Sequence, residues 1–325
     1  MRWAVIGAGS IGKRHLRNLI ARGERDLVAV RRDRAAALDG DLRDVRVVSK
    51  LDDASGSDAI AIVCTPTARH IADALVAIKA GYHVLVEKPL ASDITRVDEL
   101  RAAAGSARRT VGVAHCFRFN ALLEGVRREL ASGRYGRVLS ASVWCGQHLA
   151  DWRPGRDHRQ TYSARQQEGG GVLLDLVHEL DYSDWLLGPV TTVTAEARNT
   201  GTLGIDAEDV ADLVMRTRAG AVISCHLDYL ARPAVRGGRV VGERGTLTWD
   251  LIAGTASFSH GRVSEDGATP ASWQRNDMYR AELTAFADAV SGGAAFPVGI
   301  DVGARAVRIA LAARESASTG RRVTL

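Results

Sequence analysis

The segment Gly7-Ala8-Gly9-Ser10-Ile11-Gly12 sets three glycines in the order G-x-G-x-x-G, a spacing with which a backbone turn can cradle a pyrophosphate. It follows an apolar run at residues 3–6 that reads as a buried strand. It opens a stretch at residues 10–21 with Ile11, Leu16, Leu19 and Ile20 on one helical face. In that context the three glycines serve different ends. Gly7 permits the tight turn, Gly9 lets the backbone approach the phosphates, and Gly12 lets helix and sheet pack closely. Ser10 and Ile11 then stand at a helix N-terminus, where free amides and the helix dipole favour an anion. A second strand at residues 27–30 ends on Arg31-Arg32-Asp33. An acid here would bond the adenosine ribose 2′-hydroxyl, whereas arginine suits a 2′-phosphate. NADP(H) is therefore the expected cofactor, and Asp33 keeps NAD(H) open.

These groups need a scaffold. Strand patterns at residues 59–64, 83–86 and 110–115 alternate with helical patterns at 71–80 and 94–104. That alternation predicts an α/β Rossmann domain, a doubly wound parallel sheet over residues 1–119. Near residue 120 the period changes. A helix at 122–131 leads into alternating runs at 138–145, 190–198, 210–216, 221–227, 238–241 and 246–251, and helices follow at 279–291 and 303–318. Residues 120–325 are expected to form an α+β domain on a mostly antiparallel open sheet, one face of which needs cover.

Composition narrows the function classes. No apolar run approaches the ~18 residues that cross a bilayer, and the start lacks the apolar stretch and cleavage site of a signal peptide. A cytoplasmic protein with no membrane contact is expected. Cys64, Cys116, Cys145 and Cys225 are scattered without a C-x-x-C pair, so they read as core residues and no metal site is expected. The net charge of +5 comes from dispersed arginines. Without a clustered basic stripe, nucleic acid is not an expected partner.

Several segments together resemble the glucose-fructose oxidoreductase / inositol dehydrogenase / rhizopine-catabolism (Gfo/Idh/MocA) family. They are GAGSIGKRH at residues 7–15, Cys64-Thr65-Pro66-Thr67 with His70, GYHVLVEKP at 81–89, GGGVLLDLVHELD at 169–181, and Tyr279-Arg280-Ala281-Glu282-Leu283 with the tail through Gly320. The surroundings of Asp151-Trp152-Arg153-Pro154 and Tyr162-Ser163-Ala164 are similar to a subgroup associated with bacterial nucleotide-sugar and polysaccharide biosynthesis. The resemblance implies hydride transfer between a nicotinamide and a secondary alcohol or ketone of a sugar, sugar nucleotide or cyclitol. It implies that Thr65, Pro66 and His70 form the loop under the nicotinamide, with Glu87 in a packing or orienting role. It assigns Lys88 and His178 to the electrophile and the general base. His178 is preferred as the base, and the exchange of the two roles stays open. Many members carry Asp-x-x-x-His on the helix of the second domain; here Asp175 and His178 are three apart. Either spacing puts both on one helical face, so Asp175 is expected to orient His178 or bond a substrate hydroxyl.

Ahead of that helix, residues 151–165 interleave Arg153, Arg156, Arg159 and Arg165 with Trp152, His158 and Tyr162. Arginine forks bind phosphate and carboxylate, which makes an anionic sugar, such as a nucleotide-linked one, the expected substrate. Arg153, Tyr162 and His178 are its expected contacts, with Arg118 at the domain junction as a further one. The resemblance also implies that a second subunit covers the open sheet, giving a homodimer or homotetramer. Two alternatives stay open: a dinucleotide-dependent glycoside hydrolase and a non-catalytic dinucleotide-sensing regulator. Retention of Lys88 and His178 argues against the regulator.

Overall fold

The structure, a computed structural model, describes residues 1–31, 38, 40–54, 58–260, 263–269 and 272–325. The chain divides into two compact units, Met1–Cys116 with Tyr279–Ala304, and Phe117–Met278 with Arg305–Leu325.

The first unit runs β1 (Arg2–Ile6), α1 (Ser10–Arg22), β2 (Asp26–Val30), β3 (Arg46–Val48), β4 (Ile60–Val63), α2 (His70–Lys79), β5 (His83–Glu87), α3 (Val97–Ala107) and β6 (Val111–Ala114). All strands are parallel, in the order β3-β2-β1-β4-β5-β6. Strands β4, β5 and β6 are buried at every position, as a sheet covered on both faces requires. Strand order reverses beside β1, so the glycine turn lies at the carboxyl end of β1 and the Thr65 loop at that of its neighbour β4. Such a switch point is where open α/β sheets bind ligands. Trp3, Val5, Leu16, Leu19, Ile60, Ile62 and Leu85 share a core with Leu283, Phe286 and Ala287.

The second unit holds α4 (Ala121–Ala131), β7 (Val138–Gly146), α5 (Val172–Asp175), α6 (Val177–Leu187), β8 (Val190–Arg198), β9 (Val210–Thr217), β10 (Val222–Asp228), β11 (Val235–Gly242), β12 (Gly245–Asp250), β13 (Thr255–His260) and β14 (Val263–Ala268). Helix α7 (Asp277–Val290) follows, with Tyr279 onward in the first unit. Helix α8 (Ile300–Thr319) rejoins the second unit from Arg305, and β15 (Val323–Thr324) ends the chain. The sheet order is β14-β13-β12-β11-β7-β10-β9-β8-β15. Only β7 and β10 pair in parallel; the other neighbours are antiparallel. Helix α6 packs on β7 and β10. On β9, Ala211, Leu213 and Met215 are buried while Asp212, Val214 and Arg216 face outward, the alternation of a sheet with one open face.

Four strands, β3, β13, β14 and β15, are not expected from the residue pattern. Strand β13 reads Thr-Ala-Ser-Phe-Ser-His, too poor in apolar alternation to signal a strand, and β3 and β15 are very short. All four cysteines are buried, and no disulfide joins them. Among the described residues, no helix is long and apolar enough to cross a membrane, and no group of His, Cys, Asp and Glu is placed to hold a metal ion.

Candidate active site

In the first unit the glycine turn is fixed by backbone geometry. Gly7 has a φ of +96°, and a Cβ there would lie 2.7 Å from the Cys64 carbonyl oxygen. A Cβ on Gly12 would lie 2.0 Å from the Gly7 oxygen. Gly9 differs: among the described residues other than its chain neighbours, its Cβ would meet no atom within 4 Å. Helix α1 starts at Ser10 with no side-chain cap and no acid in its first turn. Open space over Gly9 at an uncapped helix start is the shape and polarity that a pyrophosphate fills. The Thr65 hydroxyl of the adjacent loop is buried and has no partner among the described residues, a further polar group suited to a ligand here. Arg31 directly follows β2, half-buried, with its amide donating to the Val48 oxygen at 2.8 Å. Arg32 and Asp33 lie outside the described residues.

Glu87 and His70 each fix the segment that carries Lys88. Glu87 ends β5, and its Oε1 is 2.7 Å from Nε2 of the fully buried His15. Its Oε2 accepts the Lys88 amide at 3.2 Å. Burial raises the Glu87 carboxyl, but the His15 bond and the charges of His15, Lys88 and His70 outweigh it, so the group sits below its ordinary range. A charged Glu87 thus anchors the backbone from which Lys88, half-buried, projects. His70 lies between two carbonyl oxygens, Pro89 at 2.7 Å and Thr65 at 2.8 Å. It thereby ties the Thr65-Pro66 loop to the Lys88-Pro89 segment. Burial depresses its pKa, and a neutral ring donates to only one of the two carbonyls. His15 is the functional contact that residue reasoning left out; its signal was the Arg14-His15 continuation of the glycine motif.

In the second unit the expected continuous helix is broken. Gly171, with φ +96°, leads into one turn of α5; Leu176 leaves helical geometry at ψ 29°, and α6 begins at Val177. Asp175 and His178 therefore belong to two helices, and helical periodicity does not set their relation. Asp175 Oδ1 accepts the Tyr162 hydroxyl at 2.7 Å and Oδ2 accepts that of Tyr229 at 3.1 Å. Burial, together with the Asp175 charge, pushes both phenols well above their ordinary range, so they stay donors. His178 is buried on α6, its ring edge-on to Phe117 at 4.8 Å. Arg236 stacks over Phe117 at 4.1 Å and grips the fully buried Glu179 with two bonds, at 2.7 and 2.8 Å. Arg118 is committed to Asp181 through three contacts of 2.8–3.2 Å. Arg153 lies 5.6 Å over the Tyr162 ring. Tyr229, Glu179 and Arg236 carry no local sequence signal, since each is brought to its partner from a distant part of the chain.

Two family descriptions match the chain. One is the oxidoreductase family, NAD-binding Rossmann fold, over residues 1–115, and the other is the GFO/IDH/MocA C-terminal domain over 123–248. The 1,5-anhydro-D-fructose reductase of Ensifer adhaerens is 29% identical, with 98% of this chain and 97% of that protein covered. Inositol 2-dehydrogenase 2 of Saccharopolyspora erythraea is 30% identical, with 90% and 86% covered. Among solved structures, the WlbA dehydrogenase of Chromobacterium violaceum, in complex with NADH and UDP-GlcNAcA, superposes with a TM-score of 0.81 at 25% identity, covering 100% of this chain and 96% of that one.

Proposed function

This chain belongs to the GFO/IDH/MocA oxidoreductase family, and on that premise we propose that it uses NADP(H) in preference to NAD(H) to interconvert a secondary alcohol and a ketone on a sugar, sugar nucleotide or cyclitol. The observation that carries this reading is the glycine turn. Space over Gly9 that is clear of the described residues, at an uncapped helix start, suits a dinucleotide, and the NADP(H) preference is supported by Arg31 directly following β2, the strand end at which such folds read the ribose 2′-substituent. The cyclitol class is supported by the inositol dehydrogenases among the relatives, the sugar class by the anhydrofructose reductase, and the sugar-nucleotide class by the UDP-GlcNAcA complex.

The bound nicotinamide supplies the hydride acceptor or donor. His178 takes the hydroxyl proton as base, and Lys88 donates to the oxygen on which negative charge develops. The Glu87 carboxylate, fixed by His15, holds the Lys88 backbone and so orients the residue. Asp175 holds Tyr162 and Tyr229 by their hydroxyls; the half-buried Tyr162 keeps a phenol oxygen able to accept from a sugar hydroxyl, while the fully buried Tyr229 fixes Asp175. We read the outward face of the nine-stranded sheet, where Val214 is 52% exposed, as the seat of a second copy of the chain.

Nicotinamide absorbance with NADP⁺ or NAD⁺, against neutral sugars, nucleotide sugars and inositols, tests the reading. Lys88→Met and His178→Ala are each expected to lower kcat by roughly 10²–10⁴-fold. Arg31→Ala is expected to raise the KM for NADP⁺ and leave that for NAD⁺ nearly unchanged. Turnover that survives both active-site substitutions would overturn the assignment of roles. In sedimentation of the same preparations, a monomer at micromolar concentration would remove the second copy.

A further inference from the structure

We infer that the second unit contains a recognition site for a sugar bearing an oxyanion, centred on Trp273 and Arg275; the inference rests on the sugar reading above and specifies its substrate. A cavity of about 420 Å³ opens in this unit, within the range that holds small ligands. Its wall includes Phe117, Gln147, Arg236, Thr269, Trp273 and Arg275 and, among the described residues, contains two guanidiniums and no carboxylate side chain. The two arginines are not equivalent. Arg236 is neutralised by the buried Glu179 and packs on Phe117. Arg275 is exposed and makes no ion pair among the described residues.

An uncompensated guanidinium beside a half-buried indole suits one ligand chemistry. The fork takes a carboxylate or phosphate in two bonds, while the apolar face of the ring takes the C–H face of a pyranose. Gln147 and Thr269 supply neutral donors and acceptors for hydroxyls. None of the four arginines of residues 151–165 lines this cavity; of them Arg159 pairs with Asp157, Arg165 with Glu168, and Arg153 lies over Tyr162. Phe117 links the cavity to the chemistry, because it forms part of the wall and also meets the His178 ring at 4.8 Å. A sugar held here lies one side chain from the proposed base.

The test is calorimetric titration of the full chain with saturating NADPH, which fills the dinucleotide site and leaves alcohols unreacted. The probes are D-glucuronate, D-glucose 6-phosphate, UDP-glucose and neutral methyl α-D-glucoside; the strongest charged binder tells carboxylate from phosphate from diphosphate. At least one charged sugar is expected to bind, and Arg275→Ala to weaken it by about tenfold to a hundredfold while leaving the methyl glucoside unchanged. Arg275→Lys should recover part of the loss, and Trp273→Ala should weaken charged and neutral sugars alike. Absence of binding by every charged sugar, or equal binding by the parent and Arg275→Ala, overturns the inference. NADP⁺-linked turnover separates the two readings. Arg275-dependent binding without any turnover would sink the proposed reaction and keep the site, whereas turnover with Arg275-independent binding would sink the site alone.

Discussion

At the scale of single residues, the glycine turn contains an internal control. Gly9 and Gly12 belong to one motif, yet of the two it is Gly12 that the fold requires: its Cβ would lie 2.0 Å from the Gly7 oxygen, whereas that of Gly9 meets nothing within 4 Å among the described residues. Gly12→Ala should therefore lower the melting temperature sharply with or without cofactor. Gly9→Ala should keep the cofactor-free value within about 2 °C of the parent but lose most of the stabilisation that saturating NADP⁺ confers. Thermal scans with and without NADP⁺ check this; a Gly9→Ala protein that still gains the parent's full shift would show that the phosphates do not approach there. The motif was legible because its constraint is local: three glycines in six residues leave few turns to choose from. Glu87 and Lys88 were legible only through the likeness of their segment to a family. That His15 holds Glu87, and that Asp175 is held by Tyr162 and Tyr229, depends on contacts between distant positions.

At the scale of elements, legibility followed apolar patterning. Strands β9 and β10 alternate cleanly and were read within a residue or two, while serine-rich β13 and the break at Leu176 give no periodic signal. Strand β10 also carries a titrating group whose effect has a defined sign. His226 lies directly across from Asp212 on β9, at 2.7 Å, and shares its face with Asp228, at 3.3 Å. The Asp228 bond contributes most and burial opposes it; with Asp212 added, the imidazole is pushed up to about 9 from its ordinary 6.5. A raised folded-state pKa stabilises fully below 6.5, and the contribution disappears as pH rises toward about 9. The melting-temperature difference between the parent and His226→Asn should thus be largest near pH 6 and shrink through pH 9.5. Because the ring is about half exposed, the difference should be small and should fall with added salt. A difference that is constant across that range would mean that His226 is not charged by this pair of carboxylates.

At the scale of the whole molecule, residue patterns read along the chain register a change of period but not a return. The period changes near residue 120 and the leading segment of the first unit ends at Cys116, yet Tyr279–Ala304 belongs to the same unit. Its contribution is specific. Leu283, Phe286 and Ala287 lie in the core of the parallel sheet, and Phe296 packs against it. A Cβ on Gly112 of β6 would come 2.7 Å from the Phe296 ring and 2.8 Å from that of Phe286, so this strand position is glycine to admit two aromatic rings. The Val298 oxygen accepts the Val113 amide at 2.8 Å. Losing one buried Phe costs about 3–5 kcal/mol, a large part of the roughly 5–15 kcal/mol that holds an ordinary domain folded. A fragment of residues 1–119 is therefore expected to lack a cooperative thermal transition and to bind NADP⁺ poorly. Joining residues 1–116 through a flexible linker to 279–304 should restore both. Circular dichroism melts of the two fragments with and without NADP⁺ decide the matter: equal cooperativity and equal cofactor stabilisation would mean that the parallel sheet closes its own core and that the returning helix is dispensable to it.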